Sequence, residues 1–127
     1  MEKRTFNLDG RLIGFSVGVI AISETLPATI AGRYLSGQVV RSGLAPALQY
    51  AEAQGAESPA DFVHKMKVAL KELRETFSAL RIVRKKKWCD ERLLLSLIKE
   101  NNELIAIFVT SIRTAQGAKG GCASPAG

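Results

Sequence analysis

The stretch that decides the fold is "PADFVHKMKVALKELRETFSALRIV", residues 59–83. Its apolar residues recur in steps of three and four, and a helix places residues with this spacing on one face. The members of this face are Phe62, Met66, Ala69, Leu73, Phe77 and Leu80. Ser58 suits an N-cap and Pro59 suits the first turn. The pattern therefore predicts an amphipathic helix over residues 59–83.

Similar patterns before and after this stretch predict helices over roughly residues 10–25, 32–54 and 90–115. Pro46 lies within the second of these, so we expect either a kink between Ser42 and Pro46 or two shorter helices. Gly55 is expected in the left-handed conformation after that helix, and Asp90 is expected to cap the last one. Short connections favour antiparallel neighbours. The sequence predicts an all-α, up-down-up-down four-helix bundle over residues 1–116 and a disordered tail over residues 117–127.

The first predicted helix has two apolar flanks. One contains Leu12, Phe15, Val19, Ile22 and Leu26, which suit the core of the bundle. The other contains Ile13, Val17 and Ile20. Because a single bundle core covers only one face of a helix, we expect the second flank to form an interface in a cyclic homo-oligomer.

Composition favours one globular domain with anionic partners. The chain has 127 residues, a formal net charge of +6 and a pI near 9.6. Cys89 and Cys122 are too far apart to suggest a disulfide framework or a metal site, so we expect free thiols in the cytoplasm. An alternative is a signal peptide, in which "LIGFSVGVIAI" is the apolar core and cleavage falls near Ala31. We favour the cytoplasm because cleavage would remove an entire helix, and no membrane span is expected.

Catalytic patterns are missing from the sequence. A di-iron bundle needs paired Glu-x-x-His motifs, but the chain has a single histidine, His64, with Asp61 three residues before it. Glu72 and Glu75 lie one turn apart, a spacing that helices commonly use for salt bridges. We therefore expect no enzyme activity, no metal and no cofactor.

A run of four cations, Arg84, Lys85, Lys86 and Lys87, occupies the predicted hairpin between the last two helices. One interpretation is a solvated hairpin tip without a binding role, because cations near a helix C-terminus interact favourably with the helix dipole and loops at the surface are polar. Bundle topology brings further cations to the same end, and a cyclic oligomer repeats this end around one rim. The predicted contacts for RNA or DNA are Arg33, Arg81, Arg84, Lys85, Lys86, Lys87, Trp88 and Arg92. A protein-interaction module without nucleic-acid binding is the alternative.

A family resemblance covers roughly Leu26 to Thr114 and begins in the segment "LPATIAGRYLSGQVVRSGLAPALQYAEAQGAESPADFVHKMKVALKELRET", residues 26–76. It resembles the S23-like four-helix-bundle family, first noticed as open reading frames in intervening sequences of large-subunit ribosomal RNA. The combination that carries the resemblance includes Gly32-Arg33, Gln38, Arg41-Ser42-Gly43, Tyr50, Glu57-Ser58, Asp61-Phe62, Leu70-Lys71-Glu72 and Glu75-Thr76. The chain departs from the family pattern at Leu44, Ala45, Gln49 and Ala51, which thins the polar face of the second helix.

The resemblance implies a homopentamer without enzyme activity or cofactor. The family is related to the accessory proteins of diversity-generating retroelements. This relationship implies that RNA or DNA and a reverse transcriptase are candidate partners. Arg41, Glu72 and Glu75 are expected to form an ion and hydrogen-bond network between helices, a role that requires partial burial.

Overall fold

The computed structural model describes the backbone of residues 7–120 and the side chains of residues 7–117. Its helices are α1 (Leu8–Ser23), α2 (Ile30–Gln54), α3 (Pro59–Lys86) and α4 (Glu91–Gly120). Each helix packs against the next along the chain, and α1 also contacts α4. Short connections make consecutive helices antiparallel, and this part of the chain contains no strand. The predicted all-α four-helix bundle is therefore confirmed.

The helix ends differ from the sequence prediction in several places. α2 continues through Pro46 as one helix, which excludes two shorter helices. α3 continues to Lys86, so most of the basic run is helical. α4 reaches Gly120, so the tail predicted from residue 117 begins with four helical residues. The rest of that tail, residues 121–127 with Cys122, lies outside the described residues, as do residues 1–6.

Local polar contacts fix the helix starts as predicted. Ser58 Oγ accepts a hydrogen bond from the Asp61 backbone N–H at 3.0 Å. Asp90 Oδ1 accepts from the backbone N–H groups of Arg92 at 2.8 Å and Leu93 at 3.2 Å. Each bond satisfies a donor that the first turn of a helix leaves free.

The left-handed conformation predicted at Gly55 is wrong. Gly55 has φ −104° and ψ 21°, and its N–H bonds to the Glu52 carbonyl at 3.0 Å. This contact tightens the last turn in a right-handed sense, so no left-handed residue is needed there. The residue that adopts the left-handed conformation is Lys87, with φ 58° and ψ 42°.

The core is formed by the apolar faces that the sequence indicates. Leu12, Phe15, Val19 and Ile22 of α1 are buried. The fully buried side chains of α3 and α4 include Met66, Leu73, Leu80, Val83, Leu94, Leu104 and Phe108. Leu26, Phe62 and Leu70 are partly buried and pack against this cluster.

Two small or polar residues set how closely the helices approach. A Cβ atom on Gly43 of α2 would lie 2.8 Å from Val19 Cγ1 of α1, so only glycine permits this separation.

Asn101 of α4 is fully buried. In the orientation that satisfies its amide, it donates to the Leu73 carbonyl and accepts from the Phe77 N–H, both at 3.1 Å. Asn101 therefore joins α4 to the backbone of α3, as expected for a satisfied core asparagine.

Candidate nucleic-acid interface

The connection between α3 and α4 positions the basic run. α3 ends where Lys87 adopts the left-handed conformation and its N–H bonds to the Arg84 carbonyl at 3.0 Å. Asp90 then starts α4 by capping its first turn. Trp88 and Cys89 are half-buried and pack against the core. Their burial holds the connection against the end of the bundle while the cations on either side stay exposed.

A depression of about 360 Å³ opens beside this connection. Its lining consists of Arg81, Arg84, Lys85, Lys87 and a single carboxylate, Glu91. Arg84 Nη2 lies 3.3 Å from Glu91 Oε2, and both side chains are about half exposed. The other cations of the lining have no carboxylate within 4.0 Å among the described residues. Such a concave group of cations matches the charge and size of phosphate groups.

Other predicted contact residues lie outside this depression. Lys86 Nζ sits 5.6 Å from the centre of the Trp88 ring, a cation–π distance. Arg33 in the first turn of α2 and Arg92 in the first turn of α4 are exposed and do not line the depression. The structure thus gathers four of the predicted cations, Arg81, Arg84, Lys85 and Lys87, into one site.

The second apolar flank of α1 is exposed in the single chain. Ile13, Val17 and Ile20 have exposed fractions of 51%, 61% and 37%. They lie on one side of α1, at steps of four and three residues. This is the geometry that the predicted oligomer interface requires.

The predicted network between α2 and α3 is present as contacts. Arg41 Nη1 lies 3.2 Å from Glu72 Oε1, and Nη2 lies 2.7 Å from Glu75 Oε1. The bond with Glu75 and the charge of Glu72 raise the pKa of Arg41. The Glu72 side chain is 14% exposed but that of Arg41 is 54% exposed, so burial is confined to one partner.

A second ion cluster links α1 to α4 and was not predicted. Arg11 donates to both carboxylate oxygens of Glu100, at 2.9 and 2.6 Å, and to Glu103 at 2.9 Å. The hydrogen bond with Glu100 is the main cause of a raised pKa for Arg11. Because 89 residues separate Arg11 from Glu100 in the chain, no local sequence pattern marks the pair.

A groove between α2 and α3 was also not predicted. It has a volume of about 690 Å³, and its lining combines apolar residues with Lys67, Lys71 and Arg74. The steps of four and three between these cations place them on one helix face, which was a usable signal in the sequence.

Other titratable groups form no further site. His64 is exposed. Within residues 7–117, no three His, Cys, Asp or Glu side chains are grouped as metal ligands. Partial burial raises the pKa of the Cys89 thiol, which makes it a poorer nucleophile.

Across residues 7–120, no helix combines the length and apolar character needed to cross a membrane.

Fold and site together define an all-helical bundle with a basic tip and an exposed apolar face on its first helix. Residues 11–110 match the family model of the 23S rRNA-intervening sequence proteins, and the chain belongs to this family. A crystal structure from the S23 ribosomal protein family, of a Bacteroides thetaiotaomicron protein with unknown function, has a similar fold. The TM-score is 0.77 at 24% identity, covering 84% of this chain and 98% of the other. No curated protein sequence matches the chain.

Proposed function

We propose that the protein is a non-enzymatic, cytoplasmic, homo-oligomeric scaffold that binds RNA or DNA through its basic tip. The observation that carries this proposal is the depression formed by Arg81, Arg84, Lys85 and Lys87. Three of these cations come from α3, and Lys87 ends that helix. Their side chains extend from a well-packed helix end, so a phosphate backbone can approach them without disturbing the core.

A run of cations also occurs in solvated hairpins, so charge alone does not identify a binding site. The concave shape of the surface around these cations favours binding. The cations surround a concavity that contains one carboxylate, already paired with Arg84. Contacts of this kind bind the phosphate backbone and carry no base sequence information. The proposed binding is therefore independent of sequence and weakened by salt.

The exposed apolar strip on α1 supports the oligomeric part of the proposal. Ile13, Val17 and Ile20 are more than a third exposed and form one apolar strip on α1. A cyclic oligomer that buries this strip would carry one basic tip per subunit on the same rim. Weak phosphate contacts at neighbouring tips then add, because the second contact forms at a high effective concentration. The pentamer implied by the family resemblance is our proposal for its size.

The test of nucleic-acid binding removes the cations of the tip. Arg84→Ser, Lys85→Ser and Lys86→Ser are combined with Lys87→Gly, since glycine tolerates the left-handed backbone at that position. The matched control, Lys71→Ser, Arg74→Ser, Lys99→Ser and Arg113→Ser, removes the same charge from exposed sites elsewhere. Both variants should keep the helix content of the natural protein.

Affinity for a fluorescent 20-nucleotide RNA and for the matching DNA is then measured over a series of salt concentrations. The tip variant should lose about tenfold or more in affinity, and its salt dependence should be shallower by about two to three units of slope. The control variant should keep most of the affinity and most of the salt dependence of the natural protein. If the two variants lose affinity and salt dependence equally, the basic run is a solvated hairpin without a binding role. That result would favour a protein-interaction module.

The test of assembly uses the exposed strip of α1. Ile13→Ser with Val17→Ser should reduce the mass measured by light scattering to that of one chain without loss of helix content. Leu48→Ser, at a site on α2 that is 66% exposed, is the matched control and should leave the mass unchanged. A natural protein that is monomeric at micromolar concentration would contradict the assembly and the rim.

The scaffold is further proposed to serve a nucleic-acid enzyme such as a reverse transcriptase. This step rests on the family resemblance. A reverse transcriptase gene next to the gene of this protein would support the step. Co-expression of the two proteins should then yield a complex that survives nuclease treatment. Loss of the complex after nuclease treatment would show that nucleic acid alone joins the two proteins.

A further inference from the structure

The groove between α2 and α3 has an apolar floor that a single chain leaves uncovered. Tyr34 of α2 is 68% exposed and Ile82 of α3 is 50% exposed, although both are large apolar or aromatic residues. Leu70, about three turns before Ile82 along α3, also lines the groove and is half-buried. Exposed apolar side chains that line a groove, rather than stand singly on a convex surface, are typical of binding sites.

Cations follow one side of this floor. Lys67, Lys71 and Arg74 come from successive turns of α3. The single carboxylate in the lining, Glu75, is bonded to Arg41 at 2.7 Å. Among the described residues, no carboxylate lies within 4.0 Å of any of the three cations. The groove therefore combines an apolar strip with a row of unneutralised positive charge.

The dimensions fit a helix. The lining residues of α3 run from Lys67 to Ile82, which corresponds to about 22 Å along the helix axis at about 1.5 Å per residue. Most of this lining comes from α3, and α2 adds Tyr34, Leu35 and Gln38. An amphipathic helix of about four turns would therefore lie along α3 and contact it through residues at i, i+3, i+4 and i+7. Carboxylates at the edge of such a helix would meet the row of cations.

Charge argues against the chain's own ends as the occupant. Residues 1–6 contain Glu2 together with Lys3 and Arg4, and residues 118–127 contain Lys119 and no carboxylate. A second copy of the chain is also a poor match, because the exposed apolar strip of its α1 has acidic residues only at its two ends, Asp9 and Glu24. We propose that the α2–α3 groove is a docking site for an acidic amphipathic helix of a different polypeptide. This proposal does not rest on nucleic-acid binding by the tip.

The probe is a phage-displayed library of 18-residue helical peptides. Leucines are fixed at one face, and each flanking position is either glutamate or lysine. Selection against the full-length protein should enrich glutamate along one edge of the leucine face. The best peptide is then synthesised with a fluorescent label, and its affinity is measured by anisotropy.

Paired variants separate the groove from general attraction to a basic protein. Lys71→Glu with Arg74→Glu should weaken peptide binding about tenfold or more. Lys99→Glu with Arg113→Glu, an equal charge change at exposed sites on α4, should weaken it less than about threefold. Ile82→Ser should weaken binding several-fold, whereas Leu48→Ser, which also removes an exposed apolar side chain, should not. The variant that removes the cations of the tip should bind the peptide nearly as well as the natural protein.

Several results would overturn the proposal. One is a selection without preference for glutamate, and another is equal weakening by the two charge-reversed pairs. A third is a loss of RNA or DNA affinity in Lys71→Glu with Arg74→Glu without loss of peptide binding, which would assign the groove to nucleic acid. A fourth is a change of oligomer mass in that variant, which would show that a neighbouring copy covers the groove.

Discussion

Thr76 of α3 donates its hydroxyl hydrogen bond to Ser42 Oγ of α2 at 2.8 Å, and both side chains are fully buried. Ser42 in turn donates to the Gln38 carbonyl at 2.9 Å. Arg41 and Glu75 lie one residue from Ser42 and Thr76, and Glu72 lies one turn before Thr76, so the Arg41 ion pairs are next to the buried bond. Together these contacts fix how α2 and α3 are aligned along their length, and therefore fix the groove between them.

The buried bond predicts coupled losses of stability. Thr76→Val and Ser42→Ala should each lower the free energy of unfolding by about 1 kcal/mol, because each removes the buried hydrogen bond that joins α2 to α3. The double variant should cost less than the sum of the two, since both single changes break the same contact. Urea unfolding at one fixed protein concentration measures all three values. Strictly additive losses would show that the bond does not link the helices energetically.

Gly43 and Gly37, both within α2, should respond oppositely to alanine. A Cβ at Gly43 would meet Val19 Cγ1 at 2.8 Å and Cγ2 at 2.9 Å, whereas a Cβ at Gly37 has no neighbour within 4 Å. Gly43→Ala should therefore destabilise the protein by about 1–3 kcal/mol through overpacking. Gly37→Ala should stabilise it by up to about 1 kcal/mol through helix propensity. Thermal unfolding of both variants measures the contrast, and changes of the same sign would contradict the close approach of α1 and α2.

Lys87 is a site where glycine should stabilise the fold. Its φ of 58° costs an L-residue about 1 kcal/mol relative to glycine. Lys87→Gly should raise the thermal midpoint by a few degrees. Lys85→Gly, within α3, should lower it, because glycine weakens a helix interior. A lower midpoint for Lys87→Gly would argue against the left-handed end of α3.

Glu91 should limit nucleic-acid binding at the tip. Its carboxylate lies 3.3 Å from Arg84 and therefore competes with phosphate for that side chain. Glu91→Gln should raise affinity for RNA or DNA about two- to fivefold, the range expected from an exposed ion pair. Glu24→Gln makes the same charge change outside the depression and should have a smaller effect. If both variants gain the same affinity for RNA or DNA, the effect comes from net charge and not from the position of Glu91.

Asp61 should make the start of α3 sensitive to acid. Hydrogen bonds from Lys65 and from the Glu57 N–H lower the pKa of Asp61 below its usual value. Its contribution to stability is therefore present above the unfolded-state pKa of about 3.9 and is lost as pH falls through the lower folded-state value. Asp61→Asn should lower the thermal midpoint near pH 7, and its difference from the natural protein should shrink towards pH 2.5. Glu52→Gln, which makes the same charge change at an exposed site on α2, is the control for general effects of net charge.

Sequence alone determined the helices and most of their ends. The apolar spacing around Met66 and Leu73 identifies the buried face of α3, and Ser58 and Asp90 cap helices where they were expected to. These features depend on residues within one or two turns of each other, so the order of residues contains the necessary information. Gly55 was the exception, because several geometries can end a helix and the choice between them depends on the chain that follows.

Tertiary structure alone decided which side chains meet across helices. The convergence of Arg81, Arg84, Lys85 and Lys87 on one depression depends on where α3 ends, and the bond of Arg11 with Glu100 spans 89 residues of chain. The α2–α3 groove exists only once Ser42 and Thr76 have aligned the two helices. Such contacts depend on the rotation and offset of each packed helix, and many packings share the same periodic pattern of apolar residues.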